Sequence, residues 1–454
     1  MKKIYIIVLT TVLLCGCNSF LDVTPKGKLI PNKVQDFDEL MGDPLNVSAA
    51  YPLMEMCSDN ICMKEDYLTY YILSDNGKAY TWQEEFYRAE EDDMTWNGAY
   101  SIIYTCNLVL SEVPGINDGT DAYKAQVMAE AKVNRAFYYW FLHSCYAPAY
   151  DPETASTDLS VPLVLEPDLN AKVSRTTSDK VVAQILKDLK DVAMDLPEKS
   201  ASEYHIPRVA VYGLAARVNL FFGNYDAALE NAEEALKLNS ELLDYNTFRF
   251  NDESNPYGGV DNRPDYSPEM IMYRSSAYSS ILTTSMMSPE LLEVFDTEAD
   301  LRYKFNFTTL GWDGEPSGDP YPAILPDLDY NIGVPEMMLI KAECLARKND
   351  PEALNILNTL RKKRIAADKY ADLPQVSADK LLKVVLEERQ RELAFNGVRF
   401  FDMKRLAKEG IYTRTLTRQF EGTVYTLEPN SNRYMLPIAA KVRLLNTNIV
   451  QNPR

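Results

Sequence analysis

Apolar residues recur every three or four positions along much of the chain, a pattern that predicts amphipathic helices. The first clear helix covers 99–113 and is closed by the Pro-Gly pair at 114–115. A second carries apolar residues on one face over 133–141, and a third spans 182–196 and stops at Pro197. Each helix has a single apolar stripe, so the three must pack on one another or on further helices.

Two later stretches are predicted to form helical hairpins. In the first, the helices 209–222 and 226–238 are joined by a turn at Gly223, and Ala228 is a small residue where the two helices cross. A weaker copy covers 336–364. This pattern, with small residues where the helices cross and an aromatic residue on the first helix, is similar to that of a tetratricopeptide repeat. We therefore expect an all-α fold, a tetratricopeptide-like solenoid of helical hairpins.

The helical pattern fails between the two hairpins, in a loop-rich insertion at about 244–334. Pro and Gly occur there in bursts, most densely over 311–322. Long loops inside a helical scaffold are more often functional than idle, so we expect this insertion to form the ligand-facing side. A second polar and aromatic stretch, 72–95, contains Asp75-Asn76-Gly77, which predicts a tight turn.

Charged residues crowd a segment near the C-terminus, where Ser377 is predicted to cap a helix. Paired carboxylates in this segment could serve acid–base catalysis. Helical spacing gives a plainer explanation, because Glu387 meets Arg391 at i,i+4 and Arg399 meets Asp402 at i,i+3. We predict an ion-pair network here and assign no catalytic residue.

The chain begins with two lysines and a short apolar run that ends in Leu14-Cys15-Gly16-Cys17. A bilayer-spanning helix needs about 20 apolar residues, so this run is too short to span, and the pattern is typical of a secretory signal peptide. Leu-x-Gly-Cys resembles the bacterial lipobox, in which Cys17 is acylated and becomes the first mature residue. Ordinary signal cleavage beside a chance cysteine is the alternative. We divide the chain into a lipoprotein signal peptide, 1–16, and a single helical domain, 17–454.

Composition narrows the classes of partner. The net charge of −19 argues against nucleic acid and against adsorption to anionic lipid. The cysteines beyond Cys17 are odd in number and form no disulfide framework, although Cys57 and Cys62 could pair. With two histidines and no Cys-x-x-Cys, the sequence indicates no metal site, and it suggests no cofactor. The 29 tyrosines are suited to a recognition surface, although many can simply pack between helices.

Three motifs are spread along the mature chain. They are Cys17-x-x-Phe20-Leu21-Asp22-x-x-Pro25, Glu388-Arg389-x-x-Glu392-Leu393-x-Phe395-x-Gly397-x-Arg399-Phe400-x-Asp402 and Arg433-Tyr434-Met435-Leu436-Pro437-Ile438. Together they resemble the SusD/RagB family of outer-membrane nutrient-binding lipoproteins, and the resemblance covers the whole mature chain.

The resemblance implies one all-helical domain, with tetratricopeptide-like pairs on one side and long insertions on the ligand-facing side. It also implies a protein on the outer face of the outer membrane of Bacteroidetes-type bacteria, anchored by the acylated Cys17. Such proteins cap a SusC-like TonB-dependent transporter, bind an oligosaccharide or another polymeric nutrient, and help to deliver it inward. They catalyse no reaction.

Sugar recognition needs flat aromatic faces together with polar groups for the hydroxyls. Trp140 lies on the apolar stripe of a helix, and Trp96 fits a position for which the family resemblance implies packing. This leaves Trp82 and Trp312, both in polar or Gly-rich loops, as ligand platforms. A loop tryptophan can also be a lid over the core. The further ligand-binding candidates are Tyr80, Asp75 and Asn76 near Trp82, Asp313 and Tyr321 near Trp312, and Tyr278 in a serine-rich stretch.

Three other functions remain open at this point. The ligand could be a peptide, as in the RagB-like branch of the family. The protein could be a tetratricopeptide-type adaptor for other proteins. It could also be a glycosidase, which would need two carboxylates about 5–10 Å apart in a cleft.

Overall fold

The computed structural model describes residues 31–48, 53–261, 267–275, 284–310, 314–322 and 331–454. The predicted lipid attachment at Cys17 and the ligand candidates Tyr278, Trp312 and Asp313 lie outside these residues. Within them, sixteen helices are α1 (Val34–Met41), α2 (Leu53–Cys57), α3 (Glu65–Tyr71), α4 (Asp75–Tyr80), α5 (Met94–Glu112), α6 (Asp121–Tyr146), α7 (Ser178–Leu189), α8 (Arg208–Phe221), α9 (Tyr225–Leu238), α10 (Pro289–Leu292), α11 (Leu301–Asn306), α12 (Val334–Arg347), α13 (Glu352–Arg361), α14 (Ala378–Glu392), α15 (Arg399–Lys408) and α16 (Ala440–Leu445).

The strands of the described residues are short and pair two by two, all antiparallel. They are β1 (Ile61–Cys62), β2 (Arg249–Phe250), β3 (Val260–Asp261), β4 (Met270–Met272), β5 (Met286–Met287), β6 (Phe307–Leu310), β7 (Pro316–Pro322), β8 (Ile332–Gly333), β9 (Leu416–Phe420) and β10 (Thr423–Leu427). The pairs are β1–β5, β2–β3, β4–β8, β6–β7 and β9–β10.

The helices confirm the all-α, tetratricopeptide-like solenoid. Helix α6 packs on α5 and α7, α8 packs on α9, and α12 packs on α9, α13 and α14. The predicted hairpins are α8–α9 and α12–α13. The third predicted helix was too long, because α7 ends at Leu189 and Asp191 adopts a left-handed φ of 58°, which breaks the helical path.

The solenoid continues across the insertion, because α9 and α12 pack directly against each other. Strands β4 and β8 pair at the neck of the insertion, and both lie against Gly213 of α8. A Cβ at Gly213 would stand 2.8 Å from Ile271 Cγ2 and 3.1 Å from Ile332 Cγ2. Glycine at this position therefore lets the neck strands approach the helix.

Aromatic rings fill the core between α6, α8 and α15. Trp140 is fully buried, with ring centroids 5.5 Å from Phe221 and 5.8 Å from Phe401. Trp96 is also buried, as the family resemblance implied. Burying a large aromatic side chain contributes roughly 1.5–3 kcal/mol, so this cluster is a main source of cohesion between the first helices and the C-terminal ones.

The C-terminal signature does form an ion-pair network, but the two pairs predicted from helical spacing were wrong. Arg391 pairs with Glu388 at 2.8 Å rather than with Glu387. Arg399 pairs with Asp59 at 2.6 Å rather than with Asp402. Arg391 keeps helical spacing but pairs three positions back instead of four, whereas the largely buried Arg399 takes its partner from a distant part of the chain.

Candidate ligand-binding surface

Trp82 and Tyr80 lie in the core and enclose the guanidinium of Arg418. Trp82 is 0% exposed, and its Nε1 donates a hydrogen bond of 2.9 Å to the Cys57 carbonyl. The Arg418 guanidinium lies 3.8 Å from the Tyr80 ring centroid and 4.3 Å from that of Trp82. The two rings thus form a cation–π sandwich that stabilises a buried charge.

Backbone carbonyls complete the surroundings of Arg418. Its guanidinium donates to the carbonyls of Met56 at 2.6 Å and Ser58 at 2.5 Å. The premise that Trp82 lies on an exposed loop was therefore wrong: β9, which carries Arg418, covers the turn after α4. In this structure Trp82 offers no open face to a sugar, and binding by Trp82 or Tyr80 stays a prediction.

Asp75 and Asn76 begin a helix rather than a tight turn. Ser74 Oγ caps α4 by accepting from the Gly77 amide at 3.2 Å. Asp75 Oδ1 accepts from both the backbone and the side-chain nitrogen of Asn76, at 2.7 and 3.1 Å. Gly77 fits closely under α3, since a Cβ there would stand 1.9 Å from the Tyr71 carbonyl oxygen. The turn signal was overridden by this cap and by packing on the preceding helix.

Tyr321 lies on β7, which faces the start of α3. Lys64 Nζ lies 2.8 Å from Asp319 Oδ2 and 6.0 Å from the centroid of the Tyr321 ring. The Tyr321 side chain is largely covered, and burial raises the pKa of its hydroxyl. Tyr321 thus has a different environment from Trp82 and Tyr80. It lies near the exposed Lys64–Asp319 ion pair, whereas they contact the buried guanidinium of Arg418.

Two tyrosines that the sequence analysis did not select are the exposed aromatic residues of this region. Tyr70 is 82% exposed and Tyr67 is 40% exposed. They are three positions apart on α3, so they share a helix face. The only sequence signal was a pair of tyrosines at helical spacing in an acidic helix. We call Lys64, Tyr67, Tyr70, Asp319 and Tyr321 the α3–β7 surface.

The chemistry of the α3–β7 surface suits binding rather than reaction. Exposed tyrosine rings offer apolar faces and hydroxyl groups to a sugar. Lys64 and Asp319 are each about two-fifths exposed, so they can donate to and accept from ligand hydroxyls.

The carboxylates of the C-terminal signature are held ionised by arginines. Arg302 contacts Glu388 at 2.8 Å and Glu392 at 2.7 Å. Burial alone would raise the pKa of Glu388, but the guanidinium groups of Arg302 and Arg391 lower it below its usual range. A carboxylate in this state is a poor general acid, so the signature serves the fold.

Family models place the chain among known proteins. Residues 19–220 match SusD-like proteins described as starch-binding and associating with the outer membrane. Residues 334–454 match the SusD family. The chain belongs to the SusD family. The two matches leave out most of the insertion, which is one of the two stretches where the sequence predicted ligand contacts.

Individual SusD-family relatives agree with this assignment. The chain is 23% identical to SusD-like protein P38 of Formosa agariphila over 69% of this chain and 72% of that one. A SusD superfamily crystal structure from Bacteroides thetaiotaomicron has a TM-score of 0.72 at 19% identity, covering 93% of this chain and 100% of that one. The surface glycan-binding protein A of Bacteroides uniformis has a TM-score of 0.69 at 19% identity, over 92% of this chain and 98% of its own. At these identities the structural likeness establishes the fold.

Among the described residues of this SusD-family chain, no helix is both long enough and apolar enough to cross a membrane. Cys57 and Cys62, whose pairing the sequence left open, are both free thiols.

Proposed function

We propose that this SusD-family protein is a glycan-binding lipoprotein, held at the outer membrane by the acylated Cys17. It caps a SusC-like TonB-dependent transporter on the cell exterior and passes oligosaccharide inward, without catalysing a reaction. The family description and the glycan-binding relative support this class of ligand. The observation that carries the proposal is the exposed pair Tyr67 and Tyr70 on the α3–β7 surface.

Neighbouring exposed apolar groups that are rimmed by polar residues mark surfaces where ligands or partners bind. Tyr70 exposes most of its ring one helical turn after Tyr67, and Lys64 with Asp319 adds a cation and a carboxylate to the α3–β7 surface; a pyranose ring and its hydroxyls require these kinds of group. Trp312 and Asp313 belong to the segment that connects β6 to β7, and they precede Tyr321 by nine and eight positions. We therefore extend the proposed site to Trp312, Asp313 and Tyr278 of the insertion.

Calorimetric titration of the mature protein with defined glycans and peptides tests the ligand class. We expect binding to at least one glycan, weakened about two- to tenfold in each of Tyr67→Ala and Tyr70→Ala, since an aromatic contact contributes roughly 0.5–1.5 kcal/mol. Leu445→Ala on α16 is the matched control, because Leu445 is 81% exposed and lies outside the α3–β7 surface.

Each other outcome of this titration changes the proposal. Micromolar binding to peptides with none to any glycan would replace the glycan by a peptide. Wild-type affinity in both tyrosine variants would remove the α3–β7 surface from the site. Turnover of a polysaccharide by the pure protein would overturn the non-enzymatic function.

Membrane fractionation tests the anchor and the partner. Cys17→Ala should release the protein from the outer-membrane fraction, and retention there would refute the lipobox assignment. The wild-type protein should copurify with a TonB-dependent barrel after mild detergent extraction. Absence of any barrel from that complex would leave a binding protein without the proposed transport role.

A further inference from the structure

Three potential metal ligands meet where the first helix joins the solenoid. Asp38 comes from α1, Glu130 from α6, and His205 from the segment just before α8. One ligand atom from each residue lies within 4.8 Å of the other two. The three residues are distant along the chain, so only folding brings them together.

The geometry around Glu130 and His205 is well defined. Glu130 is almost fully buried, and its Oε2 lies 3.0 Å from His205 Nδ1. The Ile206 amide donates to Glu130 Oε1 at 3.2 Å, which fixes the carboxylate. Gly42 lies against the imidazole so closely that a Cβ there would stand 2.4 Å from Nε2. The Nε2 side of the ring thus lies against Gly42, directly after α1, while Nδ1 faces Glu130.

Asp38 supplies the observation that points to a missing partner. Its Oδ2 accepts a hydrogen bond of 2.9 Å from the Tyr123 hydroxyl. Its Oδ1 is buried and accepts no hydrogen bond from any described residue. A buried carboxylate oxygen without a donor is costly, and a cation is the partner that two neighbouring carboxylates and an imidazole together would satisfy.

We propose that Asp38, Glu130 and His205 bind one divalent transition-metal ion of the Zn²⁺ class. Imidazole nitrogen with carboxylate oxygen favours such an ion, whereas Ca²⁺ takes six to eight oxygen ligands. Three protein ligands and one water complete the tetrahedral coordination that Zn²⁺ adopts. The Tyr123 hydroxyl and the Ile206 amide then act as outer-shell donors that orient the two carboxylates.

The metal ties the N-terminal helix to the body of the protein. Helix α1 is the first described helix after the predicted anchor at Cys17, and a metal between α1 and α6 joins it to the solenoid independently of hydrophobic packing. A force applied at the membrane tether would then reach α6 without first detaching α1.

The test uses the full mature protein, freed of metal with a chelator and titrated with ZnCl₂ at pH 8, where protons compete little for the imidazole. We expect one tight site per chain, and in Asp38→Asn and His205→Gln an affinity lowered by more than the roughly 10- to 100-fold that loss of an outer-shell partner costs, because each variant removes a direct ligand. Glu39→Gln is the matched control, because Glu39 is an exposed carboxylate next to Asp38 on the same helix. Co²⁺ provides a second readout, since its visible absorption in the protein should disappear in His205→Gln.

Circular dichroism of each variant establishes that it is folded before titration. Equal Zn²⁺ affinity in wild type, Asp38→Asn and His205→Gln would place the ion elsewhere on the acidic surface and overturn the proposal. The absence of saturable binding to the wild type would also overturn it and would leave His205 and Glu130 as an ion pair alone.

Discussion

Replacement of Trp82 distinguishes a core residue from a ligand platform. The indole is fully buried, its Nε1 donates to the Cys57 carbonyl, and its ring covers the Arg418 guanidinium. Trp82→Ala removes all three interactions at once. Truncation of a buried tryptophan costs about 3–5 kcal/mol, and we expect a loss of this size in the free energy of unfolding.

Trp82→Phe separates the hydrogen bond from the packing. Phenylalanine keeps a ring over Arg418 but leaves the buried Cys57 carbonyl without its donor, which costs about 1–3 kcal/mol. Equilibrium unfolding in guanidinium chloride, followed by far-UV circular dichroism, measures both variants against the wild type. Tyr70→Ala is the control, because an exposed side chain contributes within about 0.5 kcal/mol of stability.

One result would refute the argument for Trp82. If Trp82→Ala unfolds at the wild-type denaturant concentration while its glycan affinity falls, Trp82 is an exposed platform and the sandwich with Arg418 does not form. Tyr70→Ala should weaken ligand binding at unchanged stability, whereas Trp82→Ala should lower stability.

Three further predictions concern charge, packing and thiols. Burial alone would raise the pKa of Glu343, but Arg405 lowers it to about 2. The stabilising effect of this carboxylate is therefore complete above about pH 4.5 and is lost as the pH falls toward 2. Glu343→Gln should lower the free energy of unfolding by about 3–5 kcal/mol at pH 7, and its stability should change less with pH over that window. Gly213→Ala should destabilise the protein by about 1–3 kcal/mol in the same guanidinium assay, because the added methyl group contacts the neck strands of the insertion. Wild-type stability in this variant would mean that β4 and β8 do not pack tightly against α8. Burial raises the pKa of Cys57 to about 12 and that of Cys62 to about 11. Both thiols should therefore react with a thiol reagent at pH 8 only after the protein unfolds. A peptide in which the two cysteines are linked by a disulfide, detected by mass spectrometry, would contradict their free state.

Local pattern was sufficient for the two helical hairpins. The hairpins α8–α9 and α12–α13 follow from apolar spacing and turn residues within about 30 positions of each other, so short stretches of sequence contain the whole signal. The predicted end of the third helix was wrong because Asp191, just after α7, has a left-handed φ that ends the helical path.

The candidate site was less accessible to sequence reasoning. Tyr321 is close to an exposed ion pair, but Tyr67 and Tyr70 were passed over because tyrosines at helical spacing equally predict packing. Trp82 was chosen because its neighbours are polar. Polarity of neighbours does not decide exposure when another part of the chain folds over the loop.

The sequence by itself determined the helical class, the hairpins and the family motifs, because each consists of contiguous or regularly spaced residues. The tertiary structure alone decided which tryptophan is buried, which arginine meets which carboxylate, and which acids surround His205. Arg418 and Tyr80 are 338 positions apart, and Arg399 and Asp59 are 340 apart. Contacts between residues so far apart in sequence depend on how the whole solenoid packs. The spacing of apolar residues within one element carries no information about them.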